Sequence, residues 1–383
     1  MPQTSATTIA EHFAVIDDPR IERNKRHSLE AILTIAMCGV ICGAESWVEI
    51  AEFGKAKRAW LRTFLDLPYG IPSHDTFGRV FARLDPAQLE SCFMSWVQAT
   101  FAPRDLAVIA IDGKTLRGSH AKVHGVAPLH MVSAWAAEQR LVLGQLAVDD
   151  KSNEITAIPA LLRLLDVTGA TVTTDAMGCQ RAIAEQIVEQ QGDYVLALKK
   201  NHCHLYQDTV ATFEKLDTLD DAALVCHTTI GDGHGRHEER RYWITGQLDG
   251  IRNRDQWVGL QSIGKVAGIR EVNGKATTET RYFMCSFAPD GERFGHAVRT
   301  HWQIENSLHW VLDIAFDEDR SRVRLDHGPE NLAVLRHIAL NLIRAEPSRG
   351  SVKTKRLRAG WNHAYLRTLL MPAPPSADPQ GKA

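Results

Sequence analysis

The sequence predicts an α/β protein: a mixed sheet with helices on its faces, a helical domain ahead of it, and an antiparallel β insertion late in the chain. Three observations carry this reading. Residues 27–101 place apolar side chains at helical spacing with no strand signal, residues from 106 onward alternate short β-type runs with helical segments, and 224–287 is a series of alternating stretches separated by Gly-rich turns.

In the helical part, Ser46 precedes WVEIAEFGKAKRAWLRTFL, Ser73 precedes a helix through Phe77, Val80 and Phe81, and Asp85-Pro86 is a helix start with proline at its first position. The most apolar run, Ile32 to Ala44, spans 13 residues. A bilayer asks for about 20, so a buried helix is expected and no membrane partner. These helices are assigned to a domain over 10–101.

The sheet begins with LAVIAID (106–112), LHMVSAWAA (129–137) and LVLGQLAV (141–148), three successive runs joined by turn-rich connections. A helix, ITAIPALLRLLD, follows, then the strand ATVTTD, the helix CQRAIAEQIVEQQ and the strand DYVLALK. That order implies a mixed sheet. It occupies a second domain, 103–346, with the β insertion at about 218–290 and helices from Phe294 onward. A basic, partly disordered tail is expected over 347–383, rich in Pro, Ser and Ala beyond Met371.

Composition excludes little else. With 44 basic and 46 acidic residues the net charge is −2, so a nucleic-acid partner has to be argued from local patches. The seven cysteines include no pair of CxxC units and sit mostly in apolar patterns, as expected for reduced thiols in the cytoplasm. The first residues show no basic segment followed by an apolar one, so no secretory signal is expected. His202 and His204 lack a second ligand pair at zinc spacing.

Two acidic residues stand where a strand is expected to end, Asp112 in AIDGKTLRGS and Asp175 in TVTTDAMGCQ. Open α/β sheets gather reactive groups beyond the carboxyl ends of their strands. Asp before Gly also makes ordinary turns, and that reading stays open for either residue alone. On the segment RTHWQIENSLHWVLD, His301, Glu305, His309 and Asp313 recur every four residues and share one helix face, either a solvated edge or a stripe turned toward the sheet. Phosphoryl transfer by two metal ions needs a nucleophilic water activated and phosphate charge neutralised, and three carboxylates are sufficient protein ligation for two Mg2+ or Mn2+ ions. In this reading Asp112 bridges both ions, Asp175 completes one site and Glu305 the other.

AIDGKTLRGS, KSNEITAIPALL, TTDAMGCQRAIAEQI, DYVLALKKNH, HWQIENSLHWVLDIAFDED and ENLAVLRHIALNLI together resemble the insertion-sequence transposases of the H-repeat-associated branch. GIPSHDTFGRVFARLDP resembles the helical domain that precedes their core. The resemblance covers about residues 10–346 and implies an RNase H-like core with an Asp, Asp, Glu triad, interrupted by an inserted β domain before the Glu. It implies DNA cleavage and strand transfer at the terminal inverted repeats of the element and into target DNA, by a cytoplasmic, nucleoid-associated enzyme that is a homodimer in its DNA complex. The choice of Glu305 over Asp313 as third carboxylate rests mainly on this resemblance. The spacings agree: 175 − 112 gives 63, and 305 − 175 gives 130. One departure is visible, because the Tyr, Arg and Lys that the wider superfamily sets around its Glu correspond here to Val298, His301 and Leu312, leaving His301 as the stand-in for contact with DNA ends.

Further phosphate contacts are expected from Lys114 and Arg117, just past Asp112, and from Lys353, Lys355, Arg356 and Arg358, with Trp361 and Tyr365 close behind. Two alternatives remain open at this stage: a nuclease of the same core that hydrolyses without joining, and an inactive remnant that only binds DNA.

Overall fold

The computed structural model describes residues 9–101, 106–120, 127–148, 153–219, 224–233, 236–272 and 275–371. The expected disorder beyond Met371 lies outside them.

The helical layer comprises α1 (Ile9–Phe13), α2 (Leu29–Ile41), α3 (Trp47–Ala56), α4 (Arg58–Leu61), α5 (His74–Arg83) and α6 (Pro86–Phe101). Helices start after Ser46, after Ser73 and at Pro86, where the sequence places them, and Ser28 caps a further one. The side chains of Ser28, Ser46 and Ser73 accept from the backbone N–H of Ala31, Glu49 and Thr76, and Asp85 Oδ1 accepts from Ala87 ahead of α6. The apolar run becomes α2, buried along nearly its whole length. No helix among the described residues is long and apolar enough to cross a membrane.

The sheet has nine strands: β1 (Val108–Thr115), β2 (His130–Ala136), β3 (Leu141–Val148), β4 (Thr171–Thr174), β5 (Asp193–Leu198), β6 (Val225–Gly233), β7 (Arg236–Thr245), β8 (Ser262–Val272) and β9 (Lys275–Cys285). They run in the order β3-β2-β1-β4-β5-β9-β8-β7-β6. The first three pair antiparallel, and β4 and β5 continue parallel to β1 after crossovers through α7 (Glu154–Leu164) and α8 (Arg181–Glu189). This is the mixed RNase H-like sheet. The insertion enters through α9 (Cys203–Leu219), and its last strand, β9, pairs antiparallel with β5 from Val195↔Cys285 to Leu198↔Tyr282. The four inserted strands therefore extend the core sheet and form no separate layer.

After the sheet come α10 (Gly291–Gln303), a π-helical segment over Ile304–His309, α11 (Trp310–Phe316), α12 (Gly328–Ala345), α13 (Val352–Trp361) and α14 (His363–Leu370). α12 is buried almost throughout and joins the two halves of the molecule. Asn331 Nδ2 donates to the carbonyls of Phe81 and Leu84, while Asn341 accepts from Val142 N and donates to Val142 O on the edge strand β3. One hydrophobic core consequently runs from α2 through α12 into the sheet, so the two sequence domains share an interior.

One expectation changes here. Strand β1 does not stop at Asp112 but continues to Thr115, because its antiparallel pairing with β2 reaches Thr115↔His130 while the parallel pairing with β4 ends at Ile111↔Thr174. Within the region after 346, expected to be basic and partly disordered, α13 and α14 are ordered and pack back onto α12.

Candidate active site

Asp112 and Asp175 each come one residue after the last paired position of the β1–β4 ladder. Losing that neighbour opens the sheet beside them, and the cavity formed there holds about 400 Å³. Asp112, Asp175, Lys199, Arg281, His301, Trp302 and Glu305 all line it. The three expected carboxylates are thus brought to one place from three separate elements.

The ordinary turn expected for an Asp at a strand end forms at Asp175 and not at Asp112. Asp175 Oδ1 accepts from Met177 N at 2.8 Å and Gly178 N at 3.2 Å, a side-chain turn that orients the carboxyl. Gly113 makes no turn: it lies inside β1, paired with Val132. A Cβ there would collide with the Glu154 carboxylate and the His130 ring, which bond each other at 2.6 Å across the strand. Glycine after Asp112 is therefore a close-packing requirement.

The stripe on the late helix faces the sheet along its whole length. His301 Nδ1 is 2.9 Å from Thr173 Oγ1 on β4, His309 Nδ1 is 3.3 Å from Glu305 Oε2 and 3.6 Å from Asp112 Oδ2, and Asp313 accepts from Lys114. Between α10 and α11 the helix widens into a π turn, with Trp310 N–H donating to Glu305 O. Such turns mark functional positions in many helices. The π turn carries Glu305 and His309 together over Asp112, in the middle of β1.

Burial and negative neighbours set the electrostatics. Burial, then the charges of Asp175, Glu154 and Glu305, push the Asp112 carboxyl up to about 7. Burial depresses His301 to about 4, against the pull of Asp175, and lowers His309 as well. His301 is thus neutral near pH 7 and presents no positive charge of the kind an arginine would supply.

Oxygen donors crowded where their own charges repel are a donor set suited to hard divalent cations. Ligand atoms of Asp112, Glu305 and His309 lie within 4.8 Å of one another. Asp175 shares the cavity but falls outside that tight group, and His309 stands in it although the sequence had given it no role. The i, i+4 stripe was the signal that could have found it. Lys199, in the quoted DYVLALKKNH, and Arg281, on the last inserted strand, also went unassigned. Arg281 forks onto Glu279 at 2.8 Å through both Nε and Nη2 and stacks 4.3 Å from the Trp302 ring centroid.

The expected phosphate contacts fare unevenly. Lys114 Nζ is held by Asp313 Oδ1 at 2.5 Å and Glu318 Oε2 at 2.7 Å, so its charge is already neutralised. Lys355 and Arg356 are buried: Lys355 donates to the carbonyls of Ile343 and Glu346, and Arg356 to those of Val40 and Ala315 while pairing with Glu45. Arg358 bonds Ser348 and lies over the Tyr365 ring. Arg117, 3.5 Å from Asp319 but largely exposed, and Lys353 remain on the surface.

Residues 103–342 match the family described as transposase DDE domain, and residues 10–97 match DDE_Tnp_1-associated. The chain belongs to the DDE transposase family. Among its relatives, a protein of Escherichia coli O157:H7 named as a transposase, YncI, is 37% identical over 96% of this chain and 95% of its own. YhhI of Escherichia coli K12, named as an H repeat-associated transposase, is 36% identical over 94% and 97%. An uncharacterized protein of the dhlA 3′ region of Xanthobacter autotrophicus is 45% identical over 73% of this chain and 94% of its own. As members of this family act, the chain is an enzyme of DNA transposition.

Proposed function

We propose that this transposase cuts DNA at the terminal inverted repeats of its own element and joins the freed 3′ hydroxyl to target DNA, using divalent cations held by Asp112, Asp175 and Glu305. The observation that carries the reading is the convergence of those three carboxylates, from β1, the end of β4 and the π turn, on one cavity. Bound there, Mg2+ or Mn2+ activates the attacking water or hydroxyl and neutralises phosphate charge. Asp112, which the charges of both Asp175 and Glu305 reach, would hold ions together with each of them, Asp175 being oriented for this by its backbone turn. Lys199 on the cavity wall supplies positive charge toward a phosphodiester, whereas the Arg281 guanidinium there is already paired with Glu279. Arg117 and Lys353 are the expected contacts that remain available for flanking DNA. Two copies acting on two element ends, at the nucleoid, complete the proposal.

The test is a cleavage and joining assay with labelled element ends and a target plasmid, in the presence of Mg2+. Wild type moves label into the plasmid, and alanine at Asp112, Asp175 or Glu305 abolishes both steps while end binding persists. Cleavage that survives any one of these substitutions sinks the triad, and cleavage with no label in the plasmid reduces the protein to a nuclease.

A further inference from the structure

We propose that His309 is a protein ligand, through Nδ1, of the divalent ion shared by Asp112 and Glu305, making that ion's site a mixed nitrogen and oxygen site. The inference rests on the catalytic reading above and deepens it.

The spacing is that of ligands around one ion. Bonds of about 2.1 Å set ligand atoms about 3.0 Å apart at a right angle and about 3.4 Å apart at a tetrahedral one. His309 Nδ1 stands 3.3 Å from Glu305 Oε2 and 3.6 Å from Asp112 Oδ2. The third pair, Asp112 and Glu305, closes the triangle within 4.8 Å, so side-chain adjustment alone would seat an ion among the three.

The ring is placed in advance. His309 is 4% exposed and packed beneath the surface, whereas Glu305 reaches in from the exposed side of the same turn. Its Nδ1 has both carboxylates as neighbours, and its Nε2 is buried with no hydrogen-bond partner among the described residues. An imidazolium bridging the acids would bury a second, charge-bearing N–H without an acceptor, which is costly. A neutral ring can donate Nδ1–H to Glu305 before a cation binds and, with a cation bound, direct the Nδ1 lone pair at it with the proton on Nε2. Asp175, outside the tight group, is left to the other ion.

The chemical consequence concerns the choice of metal. Imidazole nitrogen binds Mn2+ and Co2+ better than Mg2+, while carboxylates serve all three. Ion preference at this position should therefore depend on His309.

The experiment uses the full-length protein loaded with Mn2+ and read by pulsed electron paramagnetic resonance, with calorimetry for affinity. Wild type is expected to show nitrogen coupling to the ion, retained in His301→Gln and lost in His309→Gln. His309→Gln should bind Mn2+ about 10-fold or more weakly, since even outer partners of metal ligands are worth about 10–100-fold, with a smaller loss for Mg2+. Bound Mn2+ without nitrogen coupling in wild type, or coupling that survives in His309→Gln, overturns this inference alone. That wild-type spectrum decides even where His309→Gln does not fold. If wild type binds no Mn2+, or binds it unchanged in Asp112→Asn, the catalytic reading falls together with it.

Discussion

Lys114, two residues after Asp112, is closed off by Glu318: Nζ lies 2.7 Å from Oε2, and Glu318 is 2% exposed. Asp313 holds the same ammonium from the other side, and Arg336, itself buried, approaches Glu318 at 3.6 Å. The lysine thus ties β1 to α11 and the turn behind it, directly under the site. Lys114→Met leaves Asp313 without its cation and Glu318 with Arg336 alone, and should cost about 3–5 kcal/mol, as removing one partner of a buried pair does. Urea unfolding measures it. A variant of wild-type stability that instead bound DNA with a shallower salt dependence would show Lys114 to be a phosphate contact.

Arg356 and Lys353 sit three residues apart on α13 with opposite fates. Arg356→Met removes bonds to Val40 and Ala315 and a stack on Phe316, so a loss of a few kcal/mol in stability is expected. Lys353→Ala should leave the melting temperature in place and lower the slope of log affinity against log salt by about 0.9. Binding titrations between 50 and 200 mM salt, a range over which phosphate contacts are sensitive, separate the two.

Glu90 on α6 accepts from Gln145 N at 2.8 Å, yet burial pushes its carboxyl up to about 8. An acid raised in the folded state stays protonated there while the unfolded chain releases its proton near 4.5. Stability should then fall as pH rises between those values, by about 1.4 kcal/mol per unit. Glu90→Gln keeps the acceptor and removes the slope, so the two melting curves should separate progressively from pH 5 to pH 8. Parallel curves would place a charged, solvated Glu90 in the native state.

Gly113→Ala places a methyl against Glu154 and His130, whose pairing flanks the strand. The expected outcome is a loss of about 1–3 kcal/mol from overpacking, together with weaker Mn2+ binding because Asp112 moves with the backbone. Calorimetry with and without Mn2+ checks both. Unchanged metal affinity would show that β1 absorbs the methyl without moving Asp112.

Much of this fold and site could be read from residue order, because the relevant physics is local. Helix caps at Ser46 and Ser73, the apolar run of α2, and the β-type runs that carry Asp112 and lead to Asp175 depend on neighbours a few positions away. The four-residue stripe from His301 to Asp313 was visible for the same reason, though not which way it faced. What only the tertiary structure decided involves partners far apart in the chain. Lys114 meets Asp313 and Glu318 about 200 residues later, Arg356 meets Val40 across 316 positions, and both patches read as free cations until those partners appear. Arg281 enters the cavity only because β9 pairs with β5, and His309 joins Asp112 and Glu305 only because the π turn lies over β1 at Asp112. A charge pattern in a sequence shows which groups exist; whether a cation is neutralised, buried or left for a phosphate depends on packing, where desolvation and paired charge outweigh local preference.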